Sequence, residues 1–277
     1  MSRAETATYV YCLVRHAGGP PSLEGVPEGL PGLSPVRLLE IEDKDGKDSK
    51  DGKDKSAGPG GLWLAVADAP LSEYSAEAIE PRLQDLSWVS DRALPHEAVI
   101  EFFTRGGTVL PMKLFTLFSS GENARAHVLG RRAQISRVLD KVEGCAEWGI
   151  RVRLDEARAR ESLARQLKQA GTDDSGTGFL LRKKKEKDIT RGLSGRLRAE
   201  MDGVFTELSR MSVDSLRREI ADGGERLLLD AAFLVHSRRT EDFEAVLQRC
   251  AEHLAEDACA VTLTGPWPAY HFLGEAG

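Results

Sequence analysis

Nowhere does this sequence run to the roughly 20 uninterrupted apolar residues that a helix needs to cross a bilayer. Its opening, Met1 to His16, has neither a basic start followed by an apolar stretch nor a small-residue cleavage site, so the chain reads as cytoplasmic. Cysteine is scarce. The four present, Cys12, Cys145, Cys250 and Cys259, have no C-x-x-C spacing, which excludes a zinc knuckle and a thioredoxin-like redox pair and leaves thiols expected to be reduced and mostly buried. An excess of positive charge is also missing. With 38 basic against 44 acidic residues the net charge is -6, the wrong sign for general attraction to phosphate backbones or anionic lipid.

Reaction motifs are missing as well. The 27 glycines form no G-x-x-x-x-G-K-[ST] and no G-x-G-x-x-G between a strand and a helix, so no phosphate cradle is written here. Ser119-Ser120-Gly121 lacks the flanking glycines of a nucleophile elbow. His96-Glu97 begins like a zinc-protease helix, but Ile100 stands where the second histidine belongs, and none of the six histidines pairs with a cysteine or carboxylate at metal spacing. The basic run Arg182 to Lys187 has no interleaved aromatics to stack bases and reads as a solvated edge. No metal, cofactor or catalytic residue is expected.

What is present is 277 residues with 41% hydrophobic and 30% charged content, enough for two folded units of ordinary size. Thr8 to Val14, Val36 to Ile41 and Leu62 to Val66 read as strands. Between the last two lies Asp43 to Lys55, in which five Asp and five Lys cancel and KDGKD occurs twice. With no apolar residue to bury, it is expected to be a disordered insertion, spanning about 43–60, and it fails as a calcium loop because Asp48 and Asp54 stand where Gly and Glu are required. Ser75 to Phe103 reads as helix in two pieces broken at Pro95, Thr108 to Phe118 as a strand-like run, and Glu122 to Val142 as one helix capped by Ser119.

From residue 145 a second unit begins. Glu147 to Leu154 alternates like a strand, Asp155 can cap a helix, Gly171 to Gly178 is a loop, and Leu193, Leu197, Met201, Val204, Phe205 and Leu208 follow a helical period. Val213 to Ile220, a Gly223-Gly224 turn and the apolar Arg226 to His236 make a hairpin; Thr240 caps a helix with Phe243, Val246, Leu247, Cys250 and Leu254 on one face; Cys259 to Leu263 closes the series. Strand, helices, strand, strand, helix, strand is the ferredoxin-like order, four antiparallel strands with helices on one face. The expected fold is thus α+β in two domains: 145–277 ferredoxin-like, and 1–144 a modified relative of the same plan. An RNA-recognition sheet would expose two or three aromatics, whereas the inner strand here has only Phe233.

The tail Gly265-Pro266-Trp267-Pro268-Ala269-Tyr270-His271-Phe272 is the most informative segment. Two prolines remove two amide donors and hold an extended path, so Trp267, Tyr270 and Phe272 either fold back on the protein or meet another one. At this string the chain resembles the gas vesicle proteins of the GvpL/GvpF type. The likeness is carried also by Tyr9-Val10-Tyr11, His96-Glu97 before Val99-Ile100, Val109 to Lys113 with Thr116-Leu117-Phe118, Glu147 to Val152 including Trp148, and Gly178-Phe179-Leu180, all in the family's order. The family often has a small residue where Phe115 sits and a second proline where Ala269 sits.

The resemblance implies a two-domain α+β protein with ferredoxin-like elements that serves as an accessory or minor structural component in assembling the gas vesicle. It implies contacts with the major shell protein and other gas vesicle accessory proteins, and no catalysis, cofactor, nucleic acid, membrane or small-molecule substrate. The residues singled out as interface or structural motif are Gly265, Pro266, Trp267, Pro268, Tyr270 and Phe272, with Pro111 and Trp148. The competing expectation is a small-ligand sensor or enzyme on a ferredoxin-like scaffold, since that fold hosts many functions. A deep pocket with converging polar groups would favour it, and an apolar surface patch would favour assembly.

Overall fold

The computed structural model describes residues 6–42, 61–155, 157–159, 161, 165, 196–220 and 227–274. The Lys/Asp insertion, the 171–178 loop, the basic run 182–187, Leu193, the segment 178–180 and the Gly223-Gly224 turn lie outside these residues. The chain divides into two units, Met1–Gly144 with Trp267–Gly277, and Cys145–Pro266. The sequence reading attaches the whole tail to the second unit; from Trp267 onward it belongs instead to the first.

In the first unit, β1 (Thr6–His16) is the inner strand. Its neighbours are β2 (Arg37–Glu40), β3 (Gly61–Pro70), β4 (Thr108–Pro111) and β5 (Leu117–Phe118), in the order β2-β3-β1-β4 with β5 also on β1. The β1 run is buried on both faces from Ala7 to Val14, as its near-continuous apolar sequence requires. A register shift between Val10 and Cys12 in the pairing with β3 places Tyr9, Tyr11, Cys12 and Val14 in one apolar cluster with Val99, Ile100 and Phe103. That is the effect of a bulge, which inserts one residue and switches the face of those that follow.

Two one-turn helices, α1 (Leu71–Tyr74) and α2 (Ala76–Ile79), lead to α3 (Leu86–Thr104). The break expected at Pro95 is not there. The interruption comes at Asp85, whose carboxylate accepts the Ser87 and Trp88 amides at 3.0 and 3.1 Å and so starts α3. Pro95 sits inside the helix, and the carbonyl it leaves without a donor belongs to Asp91, on an exposed position where water can serve it. The Thr108 to Phe118 run is two short strands rather than one. Likewise the single helix expected over 122–142 is α4 (Gly121–Gly130) and α5 (Arg132–Val142), parted at Arg131 after a glycine. Ser120, not Ser119, caps α4 by accepting the Asn123 amide at 3.2 Å.

The second unit carries β6 (Cys145–Leu154), α6 (196–211), β7 (Asp214–Arg217), β8 (Leu227–His236), α7 (Thr240–Glu256) and β9 (Cys259–Trp267). The sheet order is β7-β8-β6-β9. That is the ferredoxin-like order, and the first unit repeats it as β2-β3-β1-β4, with a loop in place of the first crossover helix. Ile150 and Val152 with Leu229, Ala231 and Phe233 form one sheet face, on which α6 packs Leu197, Met201 and Leu208 and α7 packs Phe243 and Leu254. Asp155 accepts the amides of Ala157 and Arg158, the capping role expected of it. Thr240 does not cap α7. A 3-10 turn, Ser237–Arg239, precedes it, and Thr240 is already the first α-helical residue.

Replacing Pro95 by Ala restores an amide donor for Asp91 within an already helical backbone. The expected result is a gain of about 1–2 kcal/mol in unfolding free energy by urea titration, after subtracting the entropy proline removes from the unfolded chain.

Candidate functional site

The residues singled out by sequence do not form one patch. Pro111 ends β4, buried, opposite Cys12 of β1. Trp148 is buried in the core of the second unit, 6.4 Å from the Phe243 ring, and its indole N–H has no acceptor among the described residues. Gly265, at φ +118, leaves no room for a side chain, since a Cβ there would come within 2.7 Å of the Glu147 carbonyl and 3.4 Å of the Trp148 Cα. The Gly265-Pro266 peptide is cis. These residues set the path of the chain.

Beyond Pro266 the tail anchors in the first unit. Pro268, Ala269, Phe272 and Leu273 are buried, and Lys141 Nζ lies 5.6 Å from the Phe272 ring. The Tyr270 hydroxyl lies 2.7 Å from both carboxylate oxygens of Glu97 on α3. Burial raises the Glu97 pKa above the ordinary carboxylate value, the Tyr270 hydrogen bond opposing it, and raises that of Tyr270 further. Of the tail's large aromatics only Trp267 is left out, 44% exposed.

Next to Glu97, His96 faces the interior. Its Nε2 lies 3.0 Å from the Met112 carbonyl, which can only accept, so Nε2 carries the proton and Nδ1 is an acceptor. The Tyr9 hydroxyl, 2.8 Å from Nδ1, therefore donates to it and itself accepts the Phe115 amide at 3.3 Å. A single polarity thus runs from Phe115 N–H through Tyr9 and His96 to Met112. Burial holds the His96 pKa down at about 4, despite the Met112 carbonyl, which favours the charged form. The imidazole is neutral and fully engaged. Neither the pairing nor its role is readable in sequence, because Tyr9 and His96 lie 87 residues apart.

The relay clamps the loop after β4. Phe115 is held at φ 66, a conformation that non-glycine residues rarely adopt, and its ring stacks on Trp88 at 5.5 Å, with the Arg92 guanidinium 3.9 Å from the centre of that indole. The loop in turn lines an open groove of about 890 Å³ in the first unit. Leu114, Phe115 and Phe118 line it from one stretch, and Leu71, Tyr74, Ile79 and Leu83 from another.

Among the described residues no three His, Cys, Asp or Glu side chains are grouped to hold a metal. None of the four cysteines is in a disulfide, and burial raises their pKa values, that of Cys259 to about 11. No helix among the described residues is long and apolar enough to cross a membrane.

Residues 7–274 match the model of the family described as gas vesicle synthesis protein GvpL/GvpF. The chain belongs to the GvpL/GvpF family. It is 27% identical over 277 residues to gas vesicle protein L of Streptomyces sp. (strain CB03234), covering 97% of this chain and 93% of that one. It is 26% identical over 281 residues to gas vesicle protein L2 of Halobacterium salinarum, at 95% and 90% coverage. In fold it is similar to the crystal structure of gas vesicle protein GvpF from Anabaena sp. PCC7120, with a TM-score of 0.64 at 16% identity, covering 97% and 98% of the two chains. The GvpF structure from Microcystis aeruginosa gives 0.59 at the same identity, covering 96% of this chain and 98% of that one. This is a family of gas vesicle proteins, and the role of the chain is a gas vesicle-related one.

Two measurements check this geometry. Because the folded-state value of His96 lies below its ordinary 6.5, its contribution to stability is complete above pH 6.5 and is lost as pH falls towards about 4, with a slope of at most ~1.4 kcal/mol per pH unit. His96→Asn is expected to lower stability at pH 7 and flatten that acid limb in urea titrations; an unchanged limb would contradict the buried neutral imidazole. Tyr270→Phe strips a half-buried carboxylate of its donor and is expected to cost about 1–2 kcal/mol, while limited proteolysis reaches the last ten or so residues sooner.

Proposed function

We propose that this protein is an assembly accessory or minor structural component of the gas vesicle. It works in the cytoplasm by contact with the major shell protein and with other gas vesicle accessory proteins. The observation that supports this reading best is the division of labour in the tail. Pro268, Ala269, Tyr270, Phe272 and Leu273 are fixed against the first unit, whereas Trp267 stands 44% exposed on that fixed base. A large aromatic held rigidly at the surface has the character of a contact anchor, because little side-chain entropy remains to be lost on binding. In the same reading Gly265, Pro266, Pro268, Pro111 and Trp148 are the structural part of the motif, fixing backbone and core.

The groove of the first unit is the one observation that favours a small-ligand role. Its lining is mainly apolar; of its polar side chains the Tyr74 hydroxyl is bound to the Pro31 carbonyl at 2.5 Å, Ser75 accepts the Ala78 amide and Ser119 accepts from Asn123, which leaves Thr6 and Glu80. A small-molecule site needs a few convergent polar groups to orient its ligand. The groove lacks that convergence, so protein contact is the better account.

Trp267→Ala is expected to keep the thermal midpoint within a few degrees of wild type while lowering the yield of co-purified shell protein about tenfold or more, the loss typical of an aromatic anchor. Pull-down against the shell protein from cells making gas vesicles reads this directly. If wild type captures none, and vesicles form normally in a strain lacking the gene, the reading fails.

A further inference from the structure

The groove of the first unit has a feature that the tail does not account for. One of its lining stretches, 114–119, carries no charge, and neither do Thr6 and Ala7. The other stretch exposes Glu73 on α1, Glu77 on α2 and Glu80 in the 3-10 turn that follows; Glu80 lines the groove with Glu77 one turn before it, Arg82 ends the same turn, and none of the three carboxylates has a basic partner within 4 Å among the described residues. An apolar trough of about 890 Å³ with one acidic rim is therefore already formed. Its aromatic wall is held in place at a backbone cost, the left-handed Phe115, by the Tyr9 amide acceptance and the Trp88 stack.

We infer that this groove is a docking site for a basic amphipathic helix of a partner protein, its apolar face seated on Phe115, Phe118 and Ile79 and its Lys or Arg edge along Glu77 and Glu80. The inference rests on the protein-contact reading and sharpens it. The volume accommodates several aliphatic side chains at i, i+3 or i+4, and i+7 spacing, the pattern by which helices lie in apolar grooves. The sign of the rim selects among such helices, since like charge along the rim opposes docking and opposite charge favours it. An acyl chain needs no positive edge, and a second copy of this chain would make association depend on protein concentration alone; both are distinguished below.

The probe is a 16-residue helical peptide with Leu at the seating positions and Lys elsewhere, fluorescently labelled, compared with the same peptide bearing Glu in place of Lys. Titrated against the full chain by fluorescence anisotropy, the Lys peptide is expected to bind at least tenfold more tightly than the Glu peptide. Glu77→Lys/Glu80→Lys should weaken it about five- to tenfold, as two partly exposed ion pairs allow. Leu83→Asp, at a half-exposed lining residue, should weaken it as well. Glu252→Lys/Glu256→Lys on α7, which makes the same change in net charge away from the groove, should leave binding within twofold.

Equal binding of both peptides, or equal loss in the α7 variant, would overturn the docking site. So would an excess of fatty acid displacing the Lys peptide while the rim substitutions have no effect, or sedimentation showing that wild type self-associates and that Leu83→Asp makes it monomeric. In each of those cases capture of shell protein by wild type and its loss in Trp267→Ala would still stand, so failure of the groove and failure of the contact reading are told apart.

Discussion

The first unit depends on a hydrogen-bond chain of fixed direction, from the Phe115 amide to the Tyr9 hydroxyl, on to His96, and out to the Met112 carbonyl. Each member is buried or nearly so, and each would be costly to leave unpaired in an apolar interior. Because Met112 and Phe115 both belong to the loop after β4, satisfying the two side chains also fixes that loop. β1 and α3 are thereby joined to the segment that walls the groove, and the unusual backbone of Phe115 is a consequence of the joint. On the same helix, the residue after His96 is Glu97, which anchors the tail through Tyr270. Two neighbouring residues of α3 thus serve the two surfaces to which the functional reading is attached.

Both units use the same strand order, with the difference lying in the connections. The second unit has helices where the ferredoxin-like plan puts them, and its helix-facing strand residues, such as Ile150, Leu229 and Phe233, form one core with α6 and α7. In the first unit a loop replaces the first crossover helix, and α4 and α5, which contact β1, β4 and β5, are added beyond the plan. That explains why β1 must be apolar on both faces and why its aromatic tyrosines need dedicated polar partners.

Strands and helix faces were legible wherever burial imposes a period. Thr8 to Val14, the run through Leu229 to Val235, and the Phe243, Val246, Leu247 and Leu254 stripe all lie where their spacing puts them. Boundaries set by local hydrogen bonds were not. Asp85 starting α3, Ser120 rather than Ser119 capping α4, and the 3-10 turn ahead of Thr240 are choices among neighbouring residues of nearly equal propensity. The tail was legible as an unusual string, but its use was not: Trp267 is at the surface while Trp148 is in a core, and nothing in the identity of a tryptophan tells these apart. The relay and the groove join residues distant in sequence and leave no local pattern.

Membership of the GvpL/GvpF family gives a gas vesicle-related role, and the contact reading proposed above assigns it to two surfaces tied to α3, an anchored aromatic at the tail and an apolar groove. The most direct measurement is amide hydrogen exchange on the purified protein, free and in complex with the gas vesicle proteins of its own organism. The account predicts slowed exchange in the complex at 114–119 and at 267–273, with β6, β7 and β8 of the second unit unchanged. A complex that forms with neither segment protected, or a protein that binds no gas vesicle component and turns over a metabolite instead, would contradict it.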